Sequence, residues 1–202
     1  MSVFALLAIC SGVFNEPMVD TSYGRLDGDS AIAVSAGAAF DVRGVRGAID
    51  VRYRYLHSAG IFVGYEEGFG AGAEPLRLGI AGFELRPLFL ARWLQGKEIG
   101  SPYLDLLIDS IGFELGAFVA QPEFGDFGSS AGLSFGIGLE FPFLPHAWGP
   151  FLAVHAAFRW SREALSAADT TTVDVRAFVV TVAFGYQAVF GSHVIDMGDV
   201  RR

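Results

Sequence analysis

Gly132-Leu133-Ser134-Phe135-Gly136-Ile137-Gly138-Leu139-Glu140-Phe141 is the stretch whose reading decides the fold. Each odd position holds a large apolar residue and each even one holds Gly, Ser or a carboxylate. A period of two kept over ten residues describes a strand with two unlike faces. The even face is too short to be an ordinary solvated surface.

The same alternation recurs on either side. Ile32, Val34, Ala36, Ala38, Phe40 and Val42 alternate with small residues over 31–43, and Gly44-Val45 reads as a hairpin turn. Residues 46–57 set Ile49, Val51, Tyr53 and Tyr55 against Asp50, Arg52 and Arg54, and 60–68 set Ile61, Val63 and Tyr65 against Gly64 and Glu66. Over 76–90 the parity slips between Ile80 and Phe83, which predicts a bulge at Ala81-Gly82. That bulge puts Arg77, Glu84 and Arg86 on one polar face. Further strands are read at 111–120, 132–143, 151–161 and 173–190. The expectation is an all-β, eight-stranded antiparallel up-and-down barrel over 31–190. A signal-like or leader segment over 1–30 and a polar tail over 191–202 flank it.

Composition bears on the solvent of that barrel. Mean hydropathy is +0.43, yet no apolar run of about 18 residues is present to make a spanning helix. The chain has a single lysine, Lys97, whereas soluble β-proteins rely on lysine along exposed strands and edges. A lipocalin-like barrel would place the large apolar residues inside, and a membrane barrel reverses the faces. An eight-strand interior is just wide enough for side chains, so Gly, Ala and Ser leave room there for a few long charged ones. The apolar face and the aromatic residues near strand ends suit lipid and its interface. The transmembrane barrel is the expected form.

In that pattern residues 31–190 resemble the small OmpA/OmpX-like outer-membrane barrels. The resemblance implies a bacterial outer membrane, contact with membrane lipid, and recognition by the outer-membrane assembly machinery. The last strand, Ala183-Phe184-Gly185-Tyr186-Gln187-Ala188-Val189-Phe190, matches the family's terminal signal at Gly185 and Phe190. It departs at Ala183 and Ala188, and the chain runs on to Arg202.

Met1–Gly12 is apolar and holds the one cysteine, Cys10, which excludes an internal disulfide. The segment reads as a secretory signal with a clipped or misassigned start. A lipoprotein signal with Cys10 lipidated and a packed N-terminus are the other readings.

Six acids and five arginines share the inward face: Asp41, Asp50, Glu66, Glu84, Glu114 and Glu140 with Arg52, Arg54, Arg77, Arg86 and Arg159. Charges removed from water must pair, and the arginine fork accepts carboxylates two at a time. The expected result is a salt-bridged interior that plugs the barrel, in a protein with a structural or surface-interaction role. A narrow channel for ions or small solutes is the alternative, and a lipid-modifying enzyme is the second. His155 lies on the same face as Arg159 and is read as a core member of the network.

Lipid A deacylases of the outer membrane carry a His-x-Ser pair. Here His57 and Ser58 are adjacent, which in a strand sends them to opposite faces, with His57 toward lipid. No cofactor or metal is expected, and a net charge of −8 argues against nucleic acid.

Residues 91–110 break the alternation. Ser101-Pro102 reads as a helix start, followed by Leu104, Leu107, Ile108 and Ile111 at helical spacing, with Asp105 and Asp109 elsewhere on the wheel. One short helix is therefore expected between strands four and five. Its apolar face has three covers to choose from: the barrel mouth, the membrane interface or a periplasmic protein partner. Closure of the mouth is the favoured one, with the two aspartates meeting arginines there.

Overall fold

A computed structural model describes residues 23–69, 74–123, 125–162 and 176–192. Eight strands form one closed antiparallel barrel: β1 (Ser30–Asp41), β2 (Gly44–Tyr55), β3 (Ala59–Gly68), β4 (Arg77–Leu85), β5 (Gly112–Gln121), β6 (Ser130–Pro142), β7 (Gly149–Ser161) and β8 (Arg176–Phe190). Each strand pairs with its neighbours in sequence, and β1 closes on β8 with Val34 opposite Tyr186. Closure leaves no sheet edge, and that is a requirement for strands in lipid.

The alternation sets the two surfaces. On β6, Leu133, Phe135, Ile137 and Phe141 point outward, and Ser134 and Glu140 are buried inside. Phe83, Leu115, Phe158 and Phe184 extend the outer apolar surface onto four other strands, each more than half exposed. So large an apolar exterior is incompatible with water and is what a bilayer solvates. Among the described residues no helix is long and apolar enough to cross a membrane. The crossing elements are the strands.

Local details depart from the sequence reading. The first hairpin turns at Val42-Arg43 rather than Gly44-Val45, because the Asp41 carboxylate accepts the Arg43 N–H at 2.7 Å and closes the turn early. Gly44 opens β2 with φ of 138°, where a side chain is unwelcome. β4 has no bulge. It pairs one-to-one with both neighbours, Glu66 opposite Leu78 and Phe62 opposite Gly82. Uniform register turns Leu78 and Ile80 inward, where Leu78 packs with Phe118 and Ala120. Arg77 therefore points outward.

β4 also ends earlier than expected. Pro87 has no N–H to continue the ladder, so the chain turns into helix α1 (Pro87–Leu94). The expected helix follows as α2 (Pro102–Asp109). The connection thus holds two helices rather than one. Ser101 occupies the N-cap position of α2, but its hydroxyl makes no capping bond. The helices, residues 23–29 and the start of the C-terminal tail gather at one end of the barrel. There Ser192 Oγ donates to Asp29 at 2.6 Å. Residues 1–22, including Cys10, and the tail from 193 onward lie outside the described residues.

Arginine at a mid-depth lipid-facing position costs about 2–4 kcal/mol. Phe135→Arg is expected to lose that much stability in a bilayer urea titration, and Ser134→Ala close to none. A cysteine at 135 should react with lipid-soluble maleimide and one at 134 should not.

Candidate functional site

The inward side chains build an ion-pair network along the barrel axis, with a separate cluster at its far end. Its hub is Glu84 on β4, which accepts Arg86 Nε at 2.5 Å, Arg54 Nε at 3.1 Å and Arg52 Nη1 at 3.3 Å. Glu140 on β6 takes Arg54 Nη2 at 2.5 Å and Arg86 Nη2 at 2.6 Å. The remaining Arg54 nitrogen donates to Gln187 Oε1 at 2.5 Å. Toward the middle, Arg52 joins Glu114 at 2.5 Å and Asp50 at 2.9 Å, and Ser35 Oγ donates to Asp50 at 2.8 Å. His155 Nδ1 lies 2.8 Å from Glu114 Oε1. At the far end Glu66 receives Arg159 at 2.5 Å and Arg46 at 2.9 Å, and Arg46 reaches Asp41 at 2.8 Å.

The charges are sorted by wall. β3, β4, β5 and β6 each root one carboxylate: Glu66, Glu84, Glu114 and Glu140. β2 roots Arg46, Arg52 and Arg54, and β7 roots Arg159 and His155. Asp41, Asp50 and Arg86 are the exceptions among these pairs. The arms cross the lumen and meet near the axis. Glycine makes this packing fit. A Cβ on Gly138 would stand 2.7 Å from His155 Nδ1 and 2.8 Å from Glu114 Oε1, and one on Gly185 would stand 2.4 Å from the inward Phe151 ring.

Two residues change places relative to the sequence reading. Arg77 is not in the network. It projects from the outer wall, its side chain 54% exposed, and pairs with Glu67 at 3.1 Å. Arg46, fully buried, takes the place assigned to it. The parity that sends Asp50, Arg52 and Arg54 inward also sends Arg46 inward, so the signal was present in the sequence. The remaining eleven predicted residues, Asp41, Asp50, Arg52, Arg54, Glu66, Glu84, Arg86, Glu114, Glu140, His155 and Arg159, face one another in the interior.

The helical end carries a second cluster in which Asp105 and Asp109 of α2 meet arginines, with partners that periodicity does not name: Arg92 on α1 and Arg25 in the segment before β1. Arg25 pairs with Asp109, and Arg92 bonds both Asp109, at 2.7 Å, and Asp105. Arg25 also lies over the Phe89 ring at 4.7 Å. Burial raises the Asp105 pKa, but bonds from the Ile99 N–H, Arg92, the Gly100 N–H and Tyr23 outweigh it and hold the carboxyl below the usual range. The face of α2 that meets the barrel is thus Asp105, Leu106 and Asp109, all buried. The expected apolar plug does not form: Leu104 is 48% exposed, and Leu107, Ile108 and Ile111 are half-buried on the side away from the aspartates. Two paired carboxylates at the mouth displace the apolar face outward.

His57 is not lipid-facing. It lies in the β2–β3 turn with φ of 51° and is buried edge-on against Phe89. Burial, reinforced by Arg54, Arg86 and Arg25, pushes its pKa down to about 3. Ser58 donates its hydroxyl to the Tyr55 carbonyl at 3.2 Å.

A closed eight-stranded antiparallel barrel with an apolar exterior and a charged interior has the architecture of a small transmembrane barrel, the class that the sequence pattern resembles. No protein-family model and no curated relative matches the chain. Among solved structures, the attachment invasion locus protein Ail of Yersinia pestis, in complex with the heparin analogue sucrose octasulfate, aligns at 15% identity and a TM-score of 0.35, over 78% of this chain and 95% of Ail. Acinetobacter baumannii CarO2 aligns at 16% identity and a TM-score of 0.40, over 77% of this chain and 99% of its own.

Removing one partner of a buried ion pair costs about 3–5 kcal/mol, because the other charge stays buried. Glu84→Gln, which strands three guanidiniums, should lower urea stability by that order, whereas Arg77→Gln should leave it unchanged. The His57 shift has a pH signature. A folded-state pKa depressed from 6.5 to about 3 leaves stability whole above pH 6.5 and removes it as pH falls toward 3. The midpoint of heat-modifiable gel migration should fall between pH 7.5 and 5, with a flatter dependence in His57→Asn, since Asn tolerates the left-handed backbone.

Proposed function

We propose that this protein is a plugged outer-membrane barrel with a structural or surface-interaction role, its helices and residues 23–29 on the periplasmic side. The observation that supports this reading is the ion-pair network around Glu84, whose bonded side chains meet across the lumen. The cavities on either side hold about 50 and 60 Å³, space for a few waters each. β8 ends on Phe190, in keeping with recognition by the assembly machinery. Ser58 bonded to a backbone carbonyl rather than to His57 speaks against a lipid hydrolase built on that pair.

The rival reading is a narrow channel. It is favoured by the placement of the two cavities, which share no lining residue and lie on either side of the Arg54–Glu84–Glu140 layer, so that opening this layer joins them. Planar-bilayer conductance decides between the two. The purified wild-type barrel should give no steady openings. Arg54→Ala combined with Glu84→Ala should give small ones if its fold persists. Frequent long-lived openings of the wild type overturn the plugged reading.

A further inference from the structure

We propose that the β4–β5 connection is a membrane-interface anchor, with the apolar face of α2 seated in the phospholipid headgroup layer at the terminal end of the barrel. This rests on the reading of the barrel as membrane-spanning and adds an element that lies on the membrane rather than across it.

Helix orientation comes first. Asp105, Leu106 and Asp109 turn toward the barrel and are buried. At about 100° per residue the opposite side of the wheel is Leu104, Leu107, Ile108 and Ile111. Tyr103 and Leu104 on the outer sides are 49% and 48% exposed. The carboxylates are held by Arg25, Arg92 and Tyr23, so the helix cannot roll its apolar side inward without stranding buried charge.

Continuity then names the occupant. Ile111 immediately precedes β5 and is in phase with its outward row, Phe113 and Leu115, which are 46% and 56% exposed. α2 packs beside β6, where Ser110 Oγ donates to the Glu140 carbonyl at 3.0 Å, and the outward residues there include Phe141 and Phe143. The apolar face of α2 is therefore the lower margin of the lipid-facing wall. Trp93 and Leu94 at the end of α1 are exposed at the same end. Tyr and Trp beside aliphatic residues are the composition of the headgroup boundary, and an amphipathic helix buries its apolar side there without a protein partner.

The test uses the full chain with Cys10→Ser and one new cysteine at a time, Leu104→Cys, Leu107→Cys, Phe135→Cys or Asp126→Cys. Each is labelled with an environment-sensitive fluorophore and refolded into phosphatidylethanolamine–phosphatidylglycerol vesicles, and heat-modifiable migration confirms the fold. Probes at 104 and 107 should be quenched several-fold more by headgroup-region nitroxide lipid than the probe at 126, and should be shielded from aqueous iodide. Iodide quenching at 104 and 107 equal to that at 126 overturns the anchor. Shielding from both quenchers also overturns it, since a second copy or another protein segment then covers the face. The probe at 135 isolates the premise: if bilayer nitroxide fails to quench it, the membrane-spanning reading fails. If it is quenched while 104 and 107 are not, only the anchor fails.

Discussion

Lipid offers no hydrogen bonds, so every backbone N–H and C=O in the wall must find its partner in the wall. Eight strands meet that demand only by closing β1 onto β8. Closure at eight fixes the radius, and the radius fixes what fits inside. The interior then has room for a few long side chains only where others are reduced to hydrogen or methyl. Gly138 beside His155 and Gly185 beside Phe151 are direct results of that limit. The even positions of the 132–141 stretch are small because the lumen is narrow.

The same constraint explains the choice of arginine. A long side chain in a narrow tube must bond at several atoms or leave donors bare. Arg54 bonds Glu84, Glu140 and Gln187 with three nitrogens, and Arg52 bonds Asp50, Glu84 and Glu114. Lysine has one nitrogen and a strong hydration shell, and serves such a lattice poorly. The interior cations in this network are all guanidiniums.

Legibility in the sequence followed periodicity. Where the two faces differ at each step, as in β6 and β7, strand identity and side-chain direction are readable residue by residue. Where inward residues are themselves large and apolar, the signal fails. Leu78 and Ile80 face inward beside Phe118, and their size mimicked a phase slip, which suggested a bulge and misplaced Arg77. Helix α1 was hidden because Leu88, Phe89 and Leu90 suit a strand as well as a helix, and Pro87 was the one residue that decided between them. For α2 the apolar and acidic faces were readable, but which one meets the barrel was not. That depended on Arg25, in a segment without a period, and on Arg92, on the helix that the sequence hides. The interior pairs were legible as a set, and their particular partners required the register.

Sorting the charges by wall has a consequence for assembly. The sector from β3 to β6 presents carboxylates to the lumen, and the sector carrying β7 and β2 presents mainly guanidiniums. Each sector carries an excess of one sign that its own exceptions, Asp41 and Asp50 on one side and Arg86 on the other, only partly offset. Neutralisation joins residues distant along the chain: Arg52 to Glu114 across 62 positions, Arg54 to Glu140 across 86, and Arg159 to Glu66 across 93. A sheet that lacks β6 and β7 leaves Arg54 and Arg86 without Glu140, and Glu66 without Arg159. The interior pairs are therefore completed only as β6 and β7 come round against β2 and β3, so charge neutralisation in the lumen and closure of the wall are one event.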